Sequence, residues 1–171
     1  MQFETPEDTY KAYKKFLKKG EYKKAYRCLE KMLSENPDDI EILQDIINLC
    51  LVHWKKPNLA KPWLLRLAKL RSIWVDYILL SRADAELGHT KQASFYLTKA
   101  KKLQKTQPLI DLGAPPRKIF SELKSFIEYK EWQLNNKASI QKVNYEIIKS
   151  KQIKSQQKPA GIKKEAPARH G

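Results

Sequence analysis

KKGEYKKAYRCL, residues 18–29, and ELGHTKQASFYL, residues 86–97, carry glycine, alanine and leucine at matching places: Gly20, Ala25 and Leu29 in the first, Gly88, Ala93 and Leu97 in the second. The offset is 68 residues each time, twice a unit of about 34, and a recurrence at that period points to stacked helical hairpins. Upstream of the first copy, Thr5 stands as an N-cap before Pro6, with Glu7 and Asp8 where the helix macrodipole favours acids. Tyr10, Tyr13, Phe16 and Leu17 then share one helical face until Gly20. A second helix is predicted from about Glu21 to Ser34, with Tyr22, Ala25, Tyr26, Leu29, Met32 and Leu33 as its stripe, stopped by Asn36-Pro37. Asp38 or Asp39 caps a third, whose Ile42, Leu43, Ile46, Ile47, Leu49 and Cys50 spread over more than half its circumference. Such a helix has to be covered on two sides.

Residues 6–39 resemble the tetratricopeptide motif, through Phe16, Gly20, Tyr22, Ala25, Leu29 and Pro37. Residues 74–107 resemble it through Tyr77, Leu80, Ser81, Gly88, Ala93, Leu97 and Ala100. Two copies that far apart imply a middle one at about 40–73, which keeps Leu43, Ile46, Ile47 and Cys50. There the turn reads Trp54-Lys55-Lys56-Pro57-Asn58 in place of glycine, one residue longer, and Pro62 puts the first turn of the following helix in question. The physical logic stands apart from the resemblance. Small Ala25 and Ala93 let paired helices approach, Phe16, Leu29, Tyr77 and Leu97 fill the space between, and a lone hairpin cannot bury both its faces. The expected fold is therefore all-α: a right-handed solenoid of three hairpins within residues 1–114, then a capping helix and its extension over 115–151. The cap begins at Pro115-Pro116 and carries Ile119, Phe120, Leu123, Phe126, Ile127 and Leu134, with a weaker stripe of Ile140, Val143, Ile147 and Ile148 beyond it.

The chain has 34 Lys+Arg against 19 Asp+Glu, a net charge of +15. Nine basic and two acidic residues fall in 137–171, and residues 152–171, poor in apolar side chains, are expected to form a basic disordered tail. No apolar run is long enough for a membrane span, and MQFETPEDTYK has acids where a signal peptide would be apolar, so a cytoplasmic location is expected. Phosphate-loop, dinucleotide, nucleophile-elbow and zinc-protease motifs are absent. An enzyme and a cofactor are not expected. Cys50 and His53, three apart on a helix, are two ligands where a metal needs three or four, and Asp38, Asp39 and Glu41 serve a helix start.

Binding is what remains. In the resemblance, partner segments lie in a concave groove lined by the first helix of each hairpin. Carried over, that groove presents Tyr10, Lys11, Lys14 and Lys18, then Gln44, Asp45 and Asn48, then Val75, Ile78, Leu79 and Arg82. The carboxylate clamp of members that grip chain termini is missing, because Tyr10, Lys14, Asp45, Val75 and Leu79 stand at its positions. The implied activity is that of an adaptor or scaffold for an acidic or amphipathic segment of another protein, with Tyr10 as anchor. A different reading is a ribonucleoprotein or ribosome-associated component, touching RNA through Lys149, Lys151, Lys154, Lys158, Lys163, Lys164 and Arg169. Against base reading, 28 of the basic residues are Lys and six are Arg. A secretion chaperone is the third reading.

Overall fold

The computed structural model describes residues 5–156. Among them every regular element is helical: α1 (Pro6–Lys18), α2 (Tyr22–Glu35), α3 (Ile40–Asn48), α4 (Pro57–Arg71), α5 (Trp74–Glu86), α6 (Thr90–Gln104), α7 (Pro116–Asn135) and α8 (Lys137–Gln156). The chain divides into two compact units, the first running to Trp132 and the second starting at Gln133. In the first unit each helix from α1 to α6 packs against the next one in sequence.

Local chemistry sets the ends of the helices. Thr5 Oγ1 accepts a hydrogen bond from the Asp8 amide at 3.1 Å, and Asp39 Oδ1 accepts from the amides of Glu41 and Ile42, each at 3.1 Å. Both side chains satisfy donors that the first helical turn leaves free. The α1–α2 and α5–α6 turns use Gly20 and Gly88 at φ of +70° and +81°, a region where a Cβ is penalised. Just behind each glycine, Ala25 and Ala93 are fully buried, with Leu29 and Leu97 deep in the same core.

The middle turn works differently. Residues Leu49–His53 form a π-helical turn, in which the Trp54 amide donates to the Leu49 carbonyl at 2.8 Å and the Lys56 amide to the Cys50 carbonyl at 2.7 Å. Widening the helix absorbs the extra residue without a glycine, and Lys55 takes the positive φ instead. Pro62 does not delay the next helix. α4 starts at Pro57, a favourable first position, and runs through Pro62, whose exposed site lets water serve the carbonyl left unpaired.

α5 is the most buried of these helices, with nine of its thirteen residues buried. Two of these are acids. Asp76 and Asp84 have no exposed side-chain surface, and each is met by a cation from α4. Arg71 grips Asp76 from the end of α4, its NH2 group at 2.6 Å from Oδ1 and its Nε at 3.0 Å from Oδ2. Lys61 Nζ, from the beginning of α4, donates to Asp84 Oδ1 at 2.6 Å. The Ser81 hydroxyl, also buried, donates to the Ala93 carbonyl of α6 at 2.7 Å. Gln107 closes the opposite corner, accepting from the Trp74 amide and donating to the Ser72 carbonyl, both at 2.9 Å.

α7 caps this arrangement through Phe120, Leu123 and Ile127, all buried, with the Phe120 ring 5.9 Å from that of Trp74. Leu134, expected in the same stripe, is instead half exposed. In the second unit α8 reaches Gln156, five residues past the expected end of the helical extension, so the first part of the expected tail is helical. The rest of the tail lies outside the described residues. Val143, Ile147 and Ile148 of α8 are all exposed.

Removing one member of a buried ion pair strands the other. Asp76→Ala should lower unfolding free energy by about 3 kcal/mol in urea titrations, whereas Arg71→Met combined with Asp76→Leu should recover most of that loss. Equal losses in the two variants would mean that Asp76 acts through something other than its cation.

Candidate functional site

α1 turns a basic face outward. Lys11, Lys14, Lys15, Lys18 and Lys19 are exposed and surround a shallow cleft into which the half-buried Tyr10 projects. The tyrosine is fixed across helices, its hydroxyl donating to Asp45 Oδ2 of α3 at 2.8 Å. Lys14 Nζ stands 4.9 Å from the centre of the Tyr10 ring and 5.0 Å from that of Tyr13, with Asp45 Oδ2 at 4.0 Å. Cation, ring face and carboxylate thus form one cluster. The Tyr10 hydroxyl, and behind it the Asp45 charge, hold the Lys14 ammonium protonated above its ordinary range. Beneath them Tyr13 is buried, and burial, then the Asp45 charge, then Tyr10, push its hydroxyl from 10.0 up to about 12.

The other groove residues divide by environment. On α3, Gln44 and Asn48 are exposed and Asp45 is partly covered by its bond to Tyr10. On α5, Val75 and Leu79 are half-buried and Arg82 is exposed, with its Nε 3.2 Å from Glu86. Ile78 is different: it is buried and shares a cleft wall with Ile119, Leu123 and Phe126 of α7. Its side chain is taken up by the cap and offers a guest little surface. The part played by Asp45 as the clasp of Tyr10 was not visible in the sequence, since 35 residues separate them.

Of the tail cations, Lys149 and Lys151 are exposed on α8. The Lys154 side chain and residues Lys158, Lys163, Lys164 and Arg169 lie outside the described part. Cys50 is fully buried, and burial raises its thiol from 9.0 to about 12, with the Glu30 charge adding to the shift. His53 points elsewhere, its exposed ring 6.4 Å from that of Tyr22. The pair does not form a ligand set. Among the described residues no group of three or more His, Cys, Asp or Glu converges as a metal site, and no helix is long and apolar enough to cross a membrane.

Neither a protein-family model nor a curated protein matches this sequence. The tetratricopeptide resemblance accordingly rests on the residues themselves.

Cys50 and Tyr13, both pushed up to about 12, carry a pH signature. Cys50 and Tyr13 keep their protons to higher pH in the folded chain than in the unfolded one, so the stability they contribute is complete below pH 9.0 and is lost as pH rises toward about 12. Thermal melts should fall steadily over that window, and Tyr13→Phe should flatten the part above pH 10.0. At pH 8 neither Cys28 nor Cys50 should react with a disulfide reagent until denaturant is added, since both are buried and burial raises both thiols.

Proposed function

We propose that this protein is a tetratricopeptide-like helical-repeat adaptor, without catalytic activity, that captures an acidic amphipathic segment of another protein along the first helices of its hairpins. The observation that carries the reading is the α1 cleft: an aromatic ring held in place by Asp45 and ringed by five lysines. An apolar floor with a cationic rim matches a peptide that alternates aliphatic or aromatic side chains with Glu or Asp. Because Tyr10 is already fixed, its immobilisation is not charged against binding. Gln44 and Asn48 on α3 and Arg82 on α5 supply polar contacts at the same kind of helical position. The 68-residue recurrence supports the repeat assignment, because Gly20 and Gly88 take the same left-handed turn, and Ala25 and Ala93 the same fully buried contact. Lysines at the rim contribute chiefly to on-rate, the ring and aliphatic groups to residence.

The test uses a short fluorescein-labelled peptide of Glu, Leu and Phe, with a sequence-scrambled Lys counterpart as control. The acidic peptide should bind and the basic one should not, with affinity falling as salt rises. Tyr10→Ala should weaken binding about tenfold or more, equivalent to at least ~1.4 kcal/mol, and changing Tyr10, Asn48 and Arg82 together to alanine should abolish it. Equal binding by the triple variant and the parent would end the groove assignment.

A further inference from the structure

A second basic cleft lies between α6 and α7, sharing no residue with the Tyr10 cleft, and its chemistry differs. Lys101 and Lys105 project from one side of it, Arg117 and Lys124 from the other, with Gln104 and Ser121 between them and the buried Phe120 as floor. No carboxylate lines it. Among the described residues Lys101, Lys105 and Arg117 form no ion pair, and Lys124 has only the exposed Glu128, at 3.6 Å along its own helix. Four cations therefore converge on a site that has little internal charge to neutralise them.

The cleft is also built on fixed parts. Lys101 Nζ rides 5.9 Å from the centre of the Phe120 ring, and that ring is packed against the fully buried Trp74. Both rows of cations follow helical spacing. Lys101 on α6 and Lys105 at its C-cap are one turn apart, about 6 Å along the axis, and Arg117 and Lys124 on α7 are two turns apart, about 10.5 Å, with the Ser121 hydroxyl one turn from Arg117. The one-turn interval is of the order of the distance between successive phosphates in an extended nucleic-acid strand, and the two-turn interval is of the order of two such steps.

We propose that the α6–α7 cleft is a seat for the phosphodiester backbone of single-stranded nucleic acid. Each helix contributes one rail of cations, and the Gln104 amide and Ser121 hydroxyl donate to phosphate oxygens between them. Its one aromatic ring, Phe120, is buried as the floor, whereas Tyr10 on α1 is half-exposed, so the cleft gives an amphipathic peptide a weaker aromatic anchor than the α1 site does. It makes no base contact, so binding follows charge and spacing and not sequence. In the free protein the four like charges repel one another, a cost that a bound polyanion removes.

The experiment measures anisotropy of labelled oligo(U) and oligo(dT) on the full chain across a salt series. One variant neutralises the cleft (Lys101→Gln, Lys105→Gln, Arg117→Gln, Lys124→Gln). A charge-matched control neutralises α1 instead (Lys11→Gln, Lys14→Gln, Lys15→Gln, Lys18→Gln). The cleft variant should lose more than tenfold in affinity, and its slope of log K against log salt should shrink by about 3, as expected for four lost phosphate contacts on a single strand. The control should lose under threefold while failing to bind the acidic peptide, so this site and the α1 groove stand or fall separately. Equal binding of the two oligonucleotides assigns the cleft to the backbone alone, and preference for oligo(U) assigns it to RNA; both support the proposal. Equal losses in the two variants would reduce the effect to net charge and overturn it. Displacement of oligo(U) by poly-glutamate at equal charge would overturn it in favour of an acidic protein. All eight positions are exposed, and a circular dichroism melt of each variant separates lost binding from lost folding. With no anion present at low salt, the cleft variant should melt no lower than the parent; a lower melt would contradict the repulsion on which the site depends.

Discussion

Two carboxylates with no access to water govern how α4 and α5 meet. Asp76 and Asp84 sit near opposite ends of α5, and Arg71 and Lys61 near opposite ends of the antiparallel α4, so each acid finds its cation only when the helices are in one register. Sliding by a turn would strand charges in the core, where an unpaired ion costs several kcal/mol. Asp84 is held further by the ring Nδ1 of His89 at 3.0 Å and, through its carbonyl, by the His89 amide at 2.8 Å, which ties the end of α5 to the start of α6. Its second oxygen, Oδ2, is buried with no hydrogen-bond partner. The site therefore has no slack for losing Lys61. Apolar packing alone would fix this interface less sharply, because leucine and alanine surfaces tolerate small shifts that directional hydrogen bonds do not.

The same division of labour governs the surface. Acids that matter to the fold are inside or half-covered and already committed: Asp76 to Arg71, Asp84 to Lys61, Asp45 to Tyr10. Many of the lysines are outside, and those with partners mostly pair within their own helix, as Lys11 does with Glu7 and Lys118 with Glu122. Exposed pairs of this kind contribute little to stability. The excess charge is thus free to act on other molecules. Where it surrounds a fixed aromatic ring, on α1, it suits a peptide with apolar side chains. Where cations line a cleft with hydroxyl and amide groups between them over a buried ring, as between α6 and α7, it suits phosphate. Net charge alone does not separate these surfaces; their neighbours do.

Helix content was legible because it is written locally. Thr5 and Asp39 cap their helices through bonds spanning three residues or fewer, and Gly20 and Gly88 mark turns by the one conformation that other residues avoid. Pro62 was misleading for the opposite reason: a proline inside a helix is read as a breaker, yet Pro62 sits on the exposed side of α4, where the carbonyl it leaves unpaired is open to solvent. The longer middle turn was visible as an extra residue, but not as a π-helical widening, which depends on how α3 and α4 pack. Among the groove residues carried over from the resemblance, Lys11, Lys14, Lys18, Gln44, Asn48 and Arg82 lie exposed, whereas Ile78 is turned into the wall beneath α7, which depends on how the cap packs.

By itself the sequence determined that this chain is helical, where most helices start and stop, and that it carries a large basic excess, since caps, turn glycines and apolar periodicity act over a few residues. Only the tertiary structure decided which charges are spent and which remain available. Pairing Asp45 with Tyr10, Asp84 with Lys61, or Lys101 and Lys105 with Arg117 and Lys124 requires helices distant in sequence to be brought together. An ion pair or a basic cleft exists only where packing sets the distances, and no local pattern of residues encodes them.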